Sequence, residues 1–266
     1  MSAGLHYDAN YGSFRTALYA EIRREAFGED IGQQSWITAG EQDGFLRHLN
    51  LSSGRTLLDV ACGSGGPALR IAAKTGCAIT GIDLHDQALA NARALAEERG
   101  LGSMARFHAA DAREPLPFPD ASFDAITCID AINHLPDRPR TLAHLERVLA
   151  PGGRLLFTDP VVVTGPLTSD EVARRSSIGF FLFVPEGHNE RAIAEAGLTL
   201  VSREDTTPHM TDIARRRGAA RAARRAALVE IEGEATYQAQ QDFFEVVARL
   251  GAERRLSRVV FVATRA

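Results

Sequence analysis

Between Thr56 and Thr158 the chain alternates short apolar runs with longer stretches in which apolar residues return every third or fourth position. The runs predict strands near Thr56 to Ala61, Ala78 to Asp83, Ala105 to Ala109, Phe123 to Ile129 and Arg154 to Thr158. The stretches between them predict amphipathic helices. One spans Gly66 to Lys74, and another carries Leu89, Ala92, Leu95 and Ala96 on one face and stops before Gly100. A third carries Leu142, Leu145 and Leu149 and ends at Pro151-Gly152-Gly153, while Pro115, Pro117 and Pro119 mark a loop. Strand-helix alternation of this kind predicts an α/β fold, a doubly wound, mostly parallel sheet with helices on both faces. A sixth strand near Leu198 to Arg203 and a last from Ser257 to Thr264 bring the expected sheet to seven strands.

Two helical stretches, Ser13 to Ala26 and Ala39 to Leu49, precede the first strand, joined by a linker that holds the only tryptophan, Trp36. Helical patterning also fills the segment before the last strand. The expected organisation is an N-terminal helical cap over residues 1–50 and a core over 51–266, with lid-type insertions near 160–186 and 206–254.

Composition narrows the class. With 45% hydrophobic and 24% charged residues the chain reads as a globular protein, and its net charge of −4 speaks against a nucleic-acid binder. Of the 30 basic residues only Lys74 is a lysine, a bias of base composition rather than of mechanism. The three cysteines, Cys62, Cys77 and Cys128, lack metal or redox spacing, so a reduced, cytoplasmic setting is expected. No apolar run has the length of a membrane span, and the N-terminus has no signal-peptide pattern.

The candidate chemistry sits at the strand ends. Leu57-Leu58-Asp59-Val60-Ala61-Cys62-Gly63-Ser64-Gly65-Gly66-Pro67 runs from a strand through an acid into a glycine turn and a helix start. Glycines let the backbone approach a ligand closely, and a helix N-terminus leaves N–H groups free to bind it. Asp59, Asp83, Asp111, Asp130 and Asp159 all lie at or just past strand ends, the edge at which open α/β sheets bind ligands. Gly63-Ser64-Gly65-Gly66-Pro67-Ala68 also satisfies a loose dinucleotide fingerprint with Asp83 downstream, so an NAD(P)-dependent oxidoreductase is one reading. Asp59 beside the turn favours the other: an acid there repels a pyrophosphate and suits a cationic ligand.

The pattern resembles the class I S-adenosylmethionine-dependent methyltransferases of the small-molecule, ubiquinone-biosynthesis-like type. Their acid-x-Gly-x-Gly-x-Gly loop appears as Asp59-Val60-Ala61-Cys62-Gly63-Ser64-Gly65, with Ala61 in place of the first glycine. The resemblance continues through Gly81-Ile82-Asp83-Leu84, Ala110-Asp111-Ala112, Ser122-Phe123-Asp124-Ala125-Ile126 and Leu149-Ala150-Pro151-Gly152-Gly153. It implies a Rossmann-like fold, S-adenosyl-L-methionine as cofactor and S-adenosyl-L-homocysteine as product. It also implies roles: Asp83 on the ribose hydroxyls, Leu84 on the adenine face, Asp111 and Ala112 at the adenine edge. Asp59, Ala61, Gly63, Gly65 and the Cys128 backbone would hold the methionine portion, with Trp36 covering it.

After the fourth strand comes Cys128-Ile129-Asp130-Ala131-Ile132-Asn133-His134-Leu135, where members of this family face the transferable methyl. His134 is the candidate base, and Asp130 its orienter or a direct substrate contact. Pro160 stands after Asp159 where a metal-dependent member would carry an amide ligand, so no metal is expected. Gly179-Phe180-Phe181-Leu182-Phe183-Val184 reads as core packing or as the wall of an apolar substrate pocket. Six arginines lie between Arg215 and Arg225, and Arg217, Arg221, Arg224 and Arg225 share a helical face. That face is a solvated surface, an anion site or an RNA contact, so an RNA or protein methyltransferase stands beside the small-molecule reading. A relative that binds the cofactor without transferring methyl also stays open, as does the oligomeric state.

Overall fold

A computed structural model describes residues 11–266, so the first ten residues of the expected cap lie outside the described residues. β1 (Thr56–Val60), β2 (Ala78–Asp83), β3 (Ala105–Ala109), β4 (Phe123–Cys128) and β5 (Leu149–Val163) run parallel. β6 (Val184–Pro185) pairs with the end of β5, and β8 (Leu256–Arg265) lies antiparallel between β5 and β7 (Leu198–Asp205). The order is β3-β2-β1-β4-β5-β8-β7. Seven strands therefore lie on one path, as expected, and β6 adds an eighth, too short at two residues for any periodicity to reveal it. β5 is longer than the five residues read from the pattern because β8 pairs with it as far as Val163. Its register slips between Asp159 and Val162, around Pro160, which has no N–H to give a ladder.

Neighbouring residues of one strand go to opposite faces. Leu57, Ala125, Leu156, Val260 and Val262 pack against α2 (Ala39–Leu49), α3 (Gly66–Thr75) and α4 (Asp86–Glu98). Leu58, Ile126, Leu155, Val259 and Phe261 pack against α5 (Arg138–Val148) and α7 (His188–Glu195). A central strand buried on both sides is predominantly apolar, which is why these strands read as runs.

The helices outside the sheet bury their apolar stripes on one another. α1 (Ala17–Phe27) and the linker after it join α8 (Thr207–Ala222) and α10 (Glu234–Ala252) in one cluster of Phe27, Trp36, Met210, Ile213, Phe243 and Phe244. α6 (Ser169–Arg175) contacts α10, and α9 (Arg225–Glu232) closes a second cluster with Ile22. N-terminal helices and lid insertion thus share a core, a contact that no sequence pattern announces.

Packing also resolves the arginine run. Arg216 pairs with Asp212, Arg221 with Glu232, Arg224 with Glu21 and Glu25, and Arg225 with Glu234. Four of the six are neutralised in this way. Arg217 turns inward.

Candidate functional site

The strand ends and the joined helices enclose a cavity of about 560 Å³. Its floor is the glycine turn. Ala61, Gly63 and Gly65 all take positive φ, at 55°, 53° and 75°, so each position of the glycine pattern is a left-handed turn residue. Ala61 adopts this conformation at a cost on the order of 1 kcal/mol that glycine would not bear. A Cβ on Gly66 would lie 2.1 Å from the Ile31 carbonyl oxygen, because the linker crosses the turn backbone to backbone. The start of α3 is thereby fixed under the linker.

Two acids flank this turn. Asp83 Oδ2 accepts the Gly63 N–H at 2.9 Å and Oδ1 accepts the His85 N–H at 3.0 Å, which leaves further lone pairs on both oxygens facing the cavity. Among the described residues Asp59 accepts only the Thr127 hydroxyl, at 2.7 Å. Burial, with the Asp83 carboxylate close by, pushes the Asp59 carboxyl up to about 7. Such a group favours a cationic partner, which would let it ionise.

At the open end Leu84 lines the cavity while 55% exposed, a large apolar side chain with a free face. Ala112 is buried beside it, and Asp111 is held by the Arg113 guanidinium and N–H, which keeps its carboxyl below the usual range. Cys128 and Gly65 are placed differently. Cys128 is wholly buried within the sheet core, and its neighbours Thr127 and Ile129 reach the cavity instead. Gly65 serves packing: a Cβ there would meet Ala92 at 2.8 Å and Phe107 at 3.1 Å.

At the opposite wall, His134 ends a short 3-10 turn (Ile132–His134) and faces the cavity. Its Nδ1 lies 2.6 Å from the Phe180 carbonyl oxygen, which can only accept, so Nδ1 carries the hydrogen and Nε2 a lone pair. Asn133 Nδ2 stands 3.2 Å from Nε2. Burial pushes the imidazole down to about 4, so it is neutral at ordinary pH. The run at residues 179–184 takes both roles considered for it: Phe180 and Phe181 line the cavity, and Phe183 packs toward Leu250 and Leu256.

Asp130 is placed otherwise than as the orienter of that imidazole; it makes no hydrogen bond to His134. Its oxygens accept from the Trp36 N–H at 2.9 Å, the Thr158 hydroxyl at 2.7 Å and Arg258 Nε at 2.7 Å. The Arg258 guanidinium, wholly buried on β8, also holds Glu41 at 2.5 Å and the Thr206 hydroxyl at 2.9 Å. Linker, α2, the loop after β4, β5 and β8 are thus tied at one point on the cavity wall. Sequence reading missed Arg258 and Glu41; the available signal was a lone charge within the apolar run Ser257 to Ala263. Asp159 is likewise occupied, by Arg138 at 2.6 Å and Asn189 at 2.8 Å. Among the described residues no group of three or more His, Cys, Asp or Glu could hold a metal ion.

The residues present fit S-adenosylmethionine. A cradle closed to any Cβ, a buried carboxyl in need of a cation, a second acid with spare lone pairs and an exposed apolar platform match its backbone, amino, ribose and adenine groups.

Comparison with known proteins agrees. Residues 58–157 match the family described as Methyltransferase domain. The chain is 33% identical over 214 residues to 27-O-demethylrifamycin SV methyltransferase of Amycolatopsis mediterranei, covering 74% of this chain and 78% of that one. It is 40% identical over 171 residues to Methyltransferase GfsG of Streptomyces halstedii, covering 60% of each. In structure it resembles the cyclopropane synthase MmaA2 from Mycobacterium tuberculosis, at 20% identity, 98% coverage of both chains and a TM-score of 0.83, a likeness of fold. The turn, the acids and the relatives converge: this chain belongs to the class I S-adenosylmethionine-dependent methyltransferases that act on small molecules, with S-adenosylhomocysteine as product.

Proposed function

We propose that this enzyme methylates a hydroxyl oxygen of a bulky, largely apolar acceptor, and that His134 takes the hydroxyl proton. The observation that carries the reading is the neutral imidazole held by Phe180 on the cavity wall, its Nε2 an acceptor already met by the Asn133 amide at 3.2 Å. The rifamycin relative, whose name specifies an oxygen acceptor, supports it. When bound, S-adenosylmethionine supplies a methyl on a cationic sulfur, and a hydroxyl that receives it must shed one proton. His134 Nε2 accepts that proton once the Asn133 amide yields its place, while Nδ1–H stays on the Phe180 carbonyl. Asp130, bound by Arg258, acts as a positioning residue for the Trp36 linker rather than as the orienter of His134. Enclosure by Trp36, Phe181 and Phe243 excludes water, and alignment supplies most of the rate.

For the cofactor we assign the Asp59 carboxylate and the backbone of Ala61, Gly63 and the segment around Cys128 to the methionine end, with Trp36 above it. Asp83 takes the ribose, Leu84 the adenine face, and Ala112 with Asp111 the adenine edge. Gly65 acts through packing. Neutralisation of the arginine run favours a small acceptor over RNA. The three cysteines are all unpaired and buried, which suits a reducing compartment, and we assign the cytoplasm. The helices before β1 and those before β8 work as a single cap. No described helix is long and apolar enough to cross a membrane.

Calorimetry with S-adenosylhomocysteine tests the cofactor assignment. At a hundredfold excess over Kd the ligand should add about 2.7 kcal/mol to stability. Asp83→Ala should weaken binding by roughly 2–4 kcal/mol, since a charged acceptor of several hydrogen bonds is lost. An unchanged Kd would make Asp83 a turn-former only, through its bonds to the Gly63 and His85 N–H groups.

Cofactor affinity should also depend on pH through Asp59. The free carboxyl titrates near 7, and a ligand ammonium binds its ionised form, so affinity rises as pH rises through 7. Between about pH 8 and about pH 6 the affinity for S-adenosylhomocysteine should fall roughly tenfold. Asp59→Asn should abolish this slope and bind more weakly at the alkaline end. A slope that survives the substitution would place the titrating group elsewhere.

A further inference from the structure

Several arginines around the cavity have acidic partners, Arg175 stacks on Phe181 and Phe243, and Arg217 has no acidic partner among the described residues. Arg23 pairs with Asp30, Arg138 with Asp159, Arg221 with Glu232, and Arg258 with Asp130 and Glu41. Arg217 forms no ion pair with any described residue. It donates one hydrogen bond, to the Gln34 carbonyl at 3.2 Å, and its guanidinium lies 4.7 Å from the Phe244 ring centre, 5.7 Å from Phe27 and 5.8 Å from Trp36. A guanidinium has five N–H donors, and this one lines the cavity. Arg221 and Arg23 stand close enough that, with burial, they draw its proton affinity down to about 9. The surroundings are thus aromatic and cation-rich, and they lack an anion. A half-buried guanidinium without an anion keeps part of its desolvation cost, which stacking on aromatic rings offsets only in part.

We propose that the methyl acceptor carries an anionic oxygen group, a carboxylate or an acidic phenol, and that Arg217 receives it while the acceptor's apolar body lies among Trp36, Phe243 and Phe244. A single planar fork matches two oxygens of one monoanion. Arg23, Arg138, Arg221 and Arg258 already serve acids of the chain, and the single fork of Arg217 suits one monoanion better than a di- or polyphosphate. The proposal rests on the reading of this cavity as a cofactor-and-acceptor chamber.

Its test uses the full chain saturated with S-adenosylhomocysteine, with two matched pairs of probes: phenylbutyrate against phenylbutanamide, and para-nitrophenolate against para-nitroanisole, binding read by calorimetry. The anion of at least one pair should bind about tenfold or more tightly than its neutral partner, as a desolvated charge-assisted bond requires. A preference in the first pair identifies a carboxylate and in the second a phenolate. Arg217→Met should erase the preference and leave the Kd of S-adenosylhomocysteine within about threefold of its original value; Arg217→Lys, which keeps the charge without the fork, should retain part of it. Equal binding within both pairs, no binding of either anion, or a preference that survives Arg217→Met overturns the proposal. So does an equal loss of cofactor and anion binding in Arg217→Met, which would make the residue a brace for the Trp36 linker. Failure of the unmodified chain to bind S-adenosylhomocysteine would instead overturn the reading of the chamber itself.

Discussion

Methyl transfer by the His134→Ala enzyme is expected to run roughly 10²–10⁴-fold slower than by the unmodified one, the usual contribution of a general base. In free energy this corresponds to about 3–5 kcal/mol of lost transition-state stabilisation. The geometry assigns the loss to one atom. The Phe180 carbonyl holds the hydrogen on Nδ1, so Nε2 is the acceptor; the other described histidine lining the cavity, His85, follows Asp83 at the glycine turn. Two controls separate chemistry from architecture. The Kd of S-adenosylhomocysteine should be unaffected, because the proposed cofactor contacts lie at Asp59, Asp83 and the glycine turn. The pH dependence of kcat should show no limb from the imidazole across ordinary pH: its folded-state affinity for protons is lowered to about 4, and above that it stays neutral. The slope from Asp59 belongs to cofactor binding and should appear in kcat/KM instead. Screening hydroxylated aromatic and macrocyclic acceptors with radiolabelled methyl donor supplies the assay. A loss below tenfold, confined to KM, would leave His134 as a wall of the acceptor pocket, as expected for a nucleophile that is carbon or already deprotonated.

Arg258→Met should be the most destabilising single change in the molecule outside its apolar core, at about 3–5 kcal/mol. Arg258 is wholly buried, and its removal strands two carboxylates, Asp130 and Glu41, whose side chains are only 4% and 3% exposed. One of the Glu41 oxygens, Oε2, already lacks a partner, and the other would keep only the exposed His209 imidazole at 3.4 Å. The destabilisation comes from orphaned charge rather than from a missing attraction. Neutralising both acids, as Asp130→Asn with Glu41→Gln in the Arg258→Met background, should therefore recover a substantial part of the loss. Urea midpoints at constant slope provide the measurement. A cost below about 1 kcal/mol for the single change would mean that water reaches the network. Because Asp130 also accepts the Trp36 N–H, the same variant should loosen the linker over the glycine turn and weaken the cofactor beyond what stability alone predicts.

How much of this was legible beforehand depends on the range of the forces involved. Strands such as Thr56–Val60 and Phe123–Cys128 announce themselves because a strand covered on both faces is mostly apolar, its few polar residues, Asp59, Asp124 and Thr127 among them, finding partners at the strand ends. The glycine turn is equally local: three left-handed residues and a helix start are conditions on neighbouring backbone atoms, and Gly63 and Gly65 meet them in any context. Asp83 and Asp59 follow from the same logic, since a strand end places its acid at the ligand edge whatever lies beyond. Contacts between distant segments leave no such mark. That Asp130 serves Arg258 and the linker rather than His134 depends on where β8 falls, 128 positions along the chain. That Phe180 sets the tautomer of His134 depends on a loop 46 positions away. Arg217 shows the division most plainly. Its helical spacing groups it with Arg221, Arg224 and Arg225, and spacing is all that a sequence records of a helix face. Which of those arginines meets an acid and which meets the cavity was decided by the packing of α8 against α1 and α10, because a charge is neutralised by what lies across from it, and only the folded chain brings the two sides together.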